Sequence, residues 1–254
     1  VVERASAEGL RVTAHIETAD DFRAAVAAGV SEIAHVPGHY VSDAEAAQAS
    51  LLTEDDAAEA ARRDVTVVTT TYLAQTSPWP GNDLALADST LAANLRTLRD
   101  NGVRLAIGSD HGATSLEEVH NLRRLGVFDS LTLLRSWAEV TPRAIFPDRL
   151  VGGLADGYEA SFLSLACNPL EDFACVGRQR CGARFVLGEE ADDPEEAQSA
   201  EGDLEGKFSV ARSDLGRDIL DVAECHDLAG SRVRLPAGSR ARVVAAAQIH
   251  AAGI

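Results

Sequence analysis

Along the first two thirds of the chain, apolar residues follow two alternating periods. Short β-branched runs each close on a polar residue: Val12-Thr13-Ala14-His15, Glu32-Ile33-Ala34-His35, Val65 through Tyr72, and Val103 through Asp110. Between them lie Ala-rich stretches whose apolar positions recur at helical spacing. Thr18 to Ala28 opens on Thr-Ala-Asp-Asp and stops at Gly29, and Thr53 to about Arg63 opens on Thr-Glu-Asp-Asp, so both have an N-cap and carboxylates where the helix dipole favours them. Val1 to Glu8 reads as a helix closed by Gly9, and Ser89 to Asn101 as one stopped by Gly102. Ser115 to Leu125 and Leu131 to Val140 follow as helices, with a short one at Thr141 that has Pro142 in its first turn. Pro37 opens a longer loop, and Ser77-Pro78-Trp79-Pro80-Gly81 breaks regular structure.

Strands that alternate with helices imply βα units and a parallel sheet with covered faces. His15, His35 and Asp110 then stand at the carboxyl ends of parallel strands, the edge where such folds place ligands and chemistry. Past Pro147 the pattern changes. Gly152-Gly153, Gly157 and the runs Ala160 to Leu165 and Ala183 to Leu187 suggest a small β module over 151–188. Residues 189–206 are acidic and poor in large apolar side chains, which predicts a solvated linker. In the tail, 207–254, Asp214 to Val222 and Arg240 to Ala252 read as helices, but no motif ties them to the remainder. No solenoid-type repeat is present.

The 254 residues carry a formal net charge of -17, which argues against nucleic acid or an anionic membrane as partner and favours a small-molecule substrate. No apolar run approaches the roughly 20 residues of a membrane span. Cys167, Cys175, Cys181 and Cys225 have neither zinc-knuckle spacing nor the density of a disulfide scaffold, and are expected to be ordinary thiols. The chain contains no methionine and opens inside a helical pattern, the look of a fragment or a processed product.

Two imidazoles and a carboxylate on one rim suit a hydrolytic divalent metal, zinc foremost, one ion or two, with an open position for water. Asp110 would be both ligand and proton shuttle. Either histidine taken alone reads equally well as a polar strand cap. His39 is expected in a loop, at the substrate mouth or in an exposed structural role, because Pro37-Gly38 prevents a helical pairing with His35. His111 is a candidate substrate contact, as are Tyr72 and Thr71, which could donate hydrogen bonds from the third strand end. His120 is expected to face solvent. His226 and His250 carry no assignment.

In series, Val12 to His15, Ile33 to Gly38, Ala106 to Asp110, Thr141-Pro142-Arg143-Ala144 and Gly157-Tyr158-Glu159-Ala160-Ser161-Phe162 resemble the amidohydrolase superfamily, near its imidazolonepropionase-like group. Asn168-Pro169-Leu170-Glu171-Asp172 resembles the return into that family's small β-sandwich. The resemblance covers about Val1 to Gly188. It implies an α/β chain forming the C-terminal half of a (β/α)8 TIM-type barrel, strands five to eight, over 1–150, with part of an accessory β-sandwich beside it. His15 would be the fifth-strand ligand, His35 the sixth-strand ligand or hydroxide-binding residue, and Asp110 the eighth-strand ligand and base; Asp110 and His35 are thus the catalytic pair. The implied reaction is hydrolysis of a C–N bond in an amide, cyclic amide or small peptide by metal-bound hydroxide.

The family also uses a His-x-His pair on the first strand and often a lysine on the fourth, and these residues supply neither. Since a whole barrel takes about 250 residues, the chain is expected to need the other half-barrel, or self-association, to cover its sheet edges, and to have little or no activity alone. The rival class is a non-catalytic half-barrel that serves as a binding or assembly module.

Overall fold

The β-branched runs do become strands, but only three residues of each are held in the ladder. In the computed structural model they are β1 (Thr13–His15), β2 (Glu32–Ala34), β3 (Thr66–Val68) and β4 (Arg104–Ala106). They form one parallel sheet in the order β1-β2-β3-β4. The structure describes residues 1–76, 80–110, 112–153, 155, 157–165, 167–177, 181–185, 225–226, 232–233 and 242–244.

Helices α1 (Val2–Ala7), α2 (Ala19–Ala28), α3 (Ala44–Ala49), α4 (Glu54–Arg62), α5 (Leu73–Thr76), α6 (Leu84–Asp100), α7 (Ser115–Arg124), α8 (Ser130–Arg135) and α9 (Thr141–Ile145) accompany the sheet. The caps legible in the sequence are formed. Thr18 with Asp21, and Thr53 with Asp56, make reciprocal capping boxes, and Thr114 with Glu117 makes a third. Gly9 and Gly29 take the left-handed conformation past their helices, which glycine adopts without a Cβ clash. Phe22, Ile33, Leu91, Leu95, Leu98, Leu122 and Leu133 are fully buried and form the centre of the core. Truncating one such leucine to alanine costs about 2–5 kcal/mol.

The elements differ from expectation in several places, among them the short helix α5 after the third strand. The helix expected from Ser89 starts at Leu84, because the Asp83 carboxylate caps the amides of Ala85 and Leu86. The loop after Pro37 contains α3, capped in the same way by Asp43. The helix expected over Leu131 to Val140 ends at Arg135 and widens into a π-helical stretch, Ser136–Val140. Pro142 has no N–H to offer the preceding turn, and the Thr141 hydroxyl donates to Ser136 O instead, at 2.7 Å. In the tail, Arg242–Val244 lies inside a segment expected to be helical but is a strand, β9, where two β-branched residues pair with the strand Ala160–Leu165. The segment expected as helix from Asp214 and the acidic stretch lie outside the described residues.

The chain divides into two compact units, Val1–Ala144 and Ile145–Ile254. The second unit has β5 (Ala160–Leu165) between β6 (Cys181–Phe185) and β9, all antiparallel, and a two-stranded pair of β7 (Cys225–His226) and β8 (Arg232–Val233). A 3-10 helix, Phe173–Gly177, folds back so that Cys167 and Cys175 are bonded as a disulfide, with Cα atoms 6.3 Å apart. These two cysteines are therefore not the free thiols expected. Spacing alone does not report the turn that brings them together. Arg149 closes the strand entry by donating through Nε and Nη2, one edge of its guanidinium, to the two carboxylate oxygens of Glu159.

Candidate functional site

The chain leaves β2 at Ala34, and that departure shapes the site. The register places His15 opposite Ala34, so a continued pleat would send His35 to the other face of the sheet. Instead the His35 ring turns toward His15. Its Nε2 stands 3.0 Å from His15 Nδ1 and 3.7 Å from Asp110 Oδ2. The His15 and His35 rings meet edge-on at 4.9 Å, and a third imidazole, His39, has its ring 5.4 Å from that of His35. Glu17 lies 3.7 Å from the outer nitrogen of His15.

The cluster runs from the interior to water. His35 and His39 are 5% and 4% exposed, whereas the His15 and Asp110 side chains are 66% and 46% exposed. Burial first, then the neighbouring His39 and His15, pushes the pKa of His35 down to about 4, against the opposing pull of Asp110 and Glu17. His35 is thus a neutral imidazole with a lone pair at neutral pH. Burial likewise lowers His39. This position corrects one of the two expectations for His39, the exposed structural role: it is in a loop, but inside the protein. The buried Asn94 donates to Pro37 O and Ser50 O, both at 2.9 Å, and accepts from Leu52 N at 2.8 Å. Gly38 has φ +102°, and a Cβ there would sit 2.5 Å from Thr90 Cγ2. The loop that carries His39 is therefore held against α6 by the Asn94 side chain, which bonds its backbone, and by the close approach at Thr90.

The other ring nitrogen of His35 lies 2.5 Å from Thr70 Oγ1. Thr70 has φ +42°, a left-handed conformation that costs a β-branched residue energy unless its surroundings impose it. The next two amides supply that restraint. Thr71 N and Tyr72 N donate to the carboxylate of Glu118 at 2.8 and 2.7 Å, and Thr71 Oγ1 donates to it at 2.9 Å. Thr71 is fully buried and its hydroxyl is committed to Glu118, which corrects its reading as a substrate donor. Tyr72 is half-buried at the same strand end. Two residues past β4, Gly108 has no room for a side chain, since a Cβ would lie 2.5 Å from Val68 Cγ1, and its carbonyl accepts from Thr70 N.

The structure thus brings His15, His35 and Asp110 together and adds His39 and Glu17 to them. His120 is exposed, as expected, while His111 lies outside the described residues, as does His250. Sequence reasoning missed Glu118, Thr70 and Asn94. A signal existed for Glu118: it shares the buried face of α7 with Val119 and Leu122, and an acid on a core-facing position needs a partner.

Neutral imidazole and carboxylate are the donors a divalent ion takes. Two nitrogens bound at about 2.05 Å to a tetrahedral ion stand roughly 3.3 Å apart. The 3.0 Å between His15 Nδ1 and His35 Nε2 is close to that edge. The set is partial: among the described residues no three His, Cys, Asp or Glu side chains close into a complete ligand group. No helix among the described residues is long and apolar enough to cross a membrane.

These features define an α/β protein with an imidazole–carboxylate cluster at the carboxyl ends of parallel strands. No protein-family model matches the chain. It is 31% identical over 182 residues to ochratoxinase of Aspergillus niger, a match that covers 68% of this chain and 36% of that protein. A solved amidohydrolase superposes with a TM-score of 0.56 at 18% identity, covering 74% of this chain and 48% of its own. A prolidase solved with N-methylphosphonate-L-proline also gives 0.56, at 22% identity and the same coverage. The chain is thus similar in sequence to ochratoxinase and in fold to an amidohydrolase and a prolidase. It spans about a third of the length of the curated relative and about half of each solved structure.

Proposed function

We propose that the chain supplies strands five to eight of an amidohydrolase-type barrel, with part of an accessory β-sandwich over 151–188, and that it serves in hydrolysis of a C–N bond in an amide, cyclic amide or small peptide. The observation that carries this reading is the seating of the neutral His35 imidazole between His15 and Asp110 at the strand carboxyl edge. His15, His35 and Asp110 would hold a divalent ion, zinc foremost. Such an ion supplies a Lewis acid for the carbonyl and a water acidic enough to attack it near neutral pH. Asp110, open to solvent, takes the proton as attack begins, while the buried His35 keeps its lone pair on the site side. His39, Tyr72 and His111 would contact the substrate. Prolidase and ochratoxinase, the names of its relatives, agree with an amide-type substrate.

The 254 residues contain no His-x-His pair. Alone, the chain has little or no activity in this reading, and it needs a further half-barrel or a second copy at the outer edges of β1 and β4. Zinc titration with a panel of dipeptides and cyclic amides tests it, run on the chain alone and then with a half-barrel that carries a His-x-His strand. Zinc binding and hydrolysis that need the added half support the proposal. Full hydrolysis by the chain alone would overturn the need for a partner half, and no zinc binding in either case would overturn the metal site. The partial donor set favours one rival, a non-catalytic half-barrel that acts as a binding or assembly module, which predicts that second outcome.

A further inference from the structure

Glu118 is a fully buried acid in the first unit that the proposed chemistry does not use. It is fully enclosed, and burial raises its pKa above 4.5 although the turn donors pull the other way. Its partners form a directed chain. Arg124, which pairs with Asp88 on α6, donates to Asn121 Oδ1; Asn121 Nδ2 donates to Thr71 Oγ1 at 3.0 Å; Thr71 Oγ1 donates to Glu118. Each donor is already committed, so the chain must end on a group that only accepts. A carboxylate meets that need and also takes the amides of Thr71 and Tyr72. Those amides directly follow Thr70, whose left-handed backbone places its hydroxyl on His35 Nδ1.

We propose that Glu118 is a positioning residue: from α7 it locks the Thr70–Tyr72 turn, so that Thr70 accepts the Nδ1 proton of His35 and the Nε2 lone pair is turned toward His15 and Asp110. A histidine with both nitrogens free populates two tautomers and several ring angles. A fixed acceptor on one nitrogen selects one of each, which is how outer groups tune imidazole donors. A glutamine here keeps one accepting oxygen but opposes its NH2 to a backbone N–H, either of Tyr72 or of Thr71. The turn loses a hydrogen bond and gains a clash of donors.

For its effect on catalysis this inference rests on the site reading above, but its test does not. In the full chain with 15N-labelled histidine, the ring resonances of His35 report tautomer directly, and amide exchange reports the turn. Wild type is expected to show one neutral tautomer with Nδ1 protonated. Glu118→Gln is expected to mix tautomers and to speed exchange at Thr71 and Tyr72 about tenfold beyond any global change. Leu122→Ala, which opens the same helix to a cavity without touching the carboxylate, is expected to lower stability and leave the ring pattern alone. An unchanged His35 pattern in Glu118→Gln, or an equal change in Leu122→Ala, would overturn the assignment. Should Glu118→Gln not fold, Thr71→Val decides: it keeps both amides but removes the hydroxyl, and a ring pattern like wild type would count against the lock. A wild-type chain that binds no zinc, while Glu118→Gln still shifts the ring, refutes the metal reading and upholds this one.

Discussion

The two ends of the same four strands handle polar groups in opposite ways. At the amino ends the pairs are charged and wet: Arg104 meets Asp64 at 2.6 Å with side chains 49% and 78% exposed, and Arg11 lies 3.8 Å from Glu32. At the carboxyl ends His35, Thr70, Thr71 and Glu118 are buried, and their partners are hydroxyls, amides and one another. Water can replace an exposed pair, so such a pair imposes little on its neighbours. A buried acceptor has no substitute for the donors it holds, and so it dictates where they point. Orientation is thus fixed at one end only, the end with the histidines.

Substitutions can break or sharpen this contrast. Glu118→Leu should have the largest effect: it leaves two buried amides and a hydroxyl without their acceptor, and a loss of about 3–5 kcal/mol is expected in urea denaturation. His35→Gln should weaken zinc binding by about 100-fold or more in a calorimetric titration, provided the site binds as proposed. Gly38→Ala comes next, with about 2 kcal/mol lost in the same denaturation assay, since the new methyl meets Thr90 at a position with φ +102°. Wild type that tolerated this alanine without loss would show the His39 loop to be looser than its bonds to Asn94 imply.

The pH response of Glu118 is a finer test. Its folded pKa is raised above 4.5, so the folded chain holds this proton to higher pH than the unfolded chain does. The stabilisation from that proton is complete below about 4.5 and is lost as pH rises through the folded value. The stability gap between wild type and Glu118→Gln should therefore narrow from pH 4.5 upward, and denaturation midpoints that stay parallel would contradict the shift. The smallest effect belongs to the other end of the strands. Arg104→Ala should cost below about 1 kcal/mol, and less in high salt.

Much of the chain was legible in its order of residues. The capping boxes at Thr18 and Thr53 were readable because a hydroxyl and a carboxylate three residues apart satisfy end amides whatever surrounds them. The strand-closing residues His15, His35 and Asp110 were readable because β-branched runs end at polar residues. The burial of His39 was not, since Pro37-Gly38 says only that a helix is absent; the bonds from Asn94 and the close approach at Thr90 draw the loop inward. The helix boundaries at Leu84 and Arg135 moved because single side chains, Asp83 and Thr141, offered backbone groups a better partner than the periodic pattern shows. The Cys167–Cys175 bond likewise depends on a turn that spacing does not encode.

By itself, then, the sequence determined what is local: strand and helix type for most elements of the first unit, caps, the polar residues at strand ends, and the acidic balance of the chain. Only the tertiary structure decided what depends on direction and depth. An alternating pleat would have parted His15 from His35, and the chain's departure from β2 at Ala34 reunites them. Glu118, which looks on paper like one more helix carboxylate, is enclosed and takes the amides of the turn that follows β3. The physical reason is the same in both cases: hydrogen bonds and burial act between atoms that are distant in sequence, and no local pattern records which of them will meet.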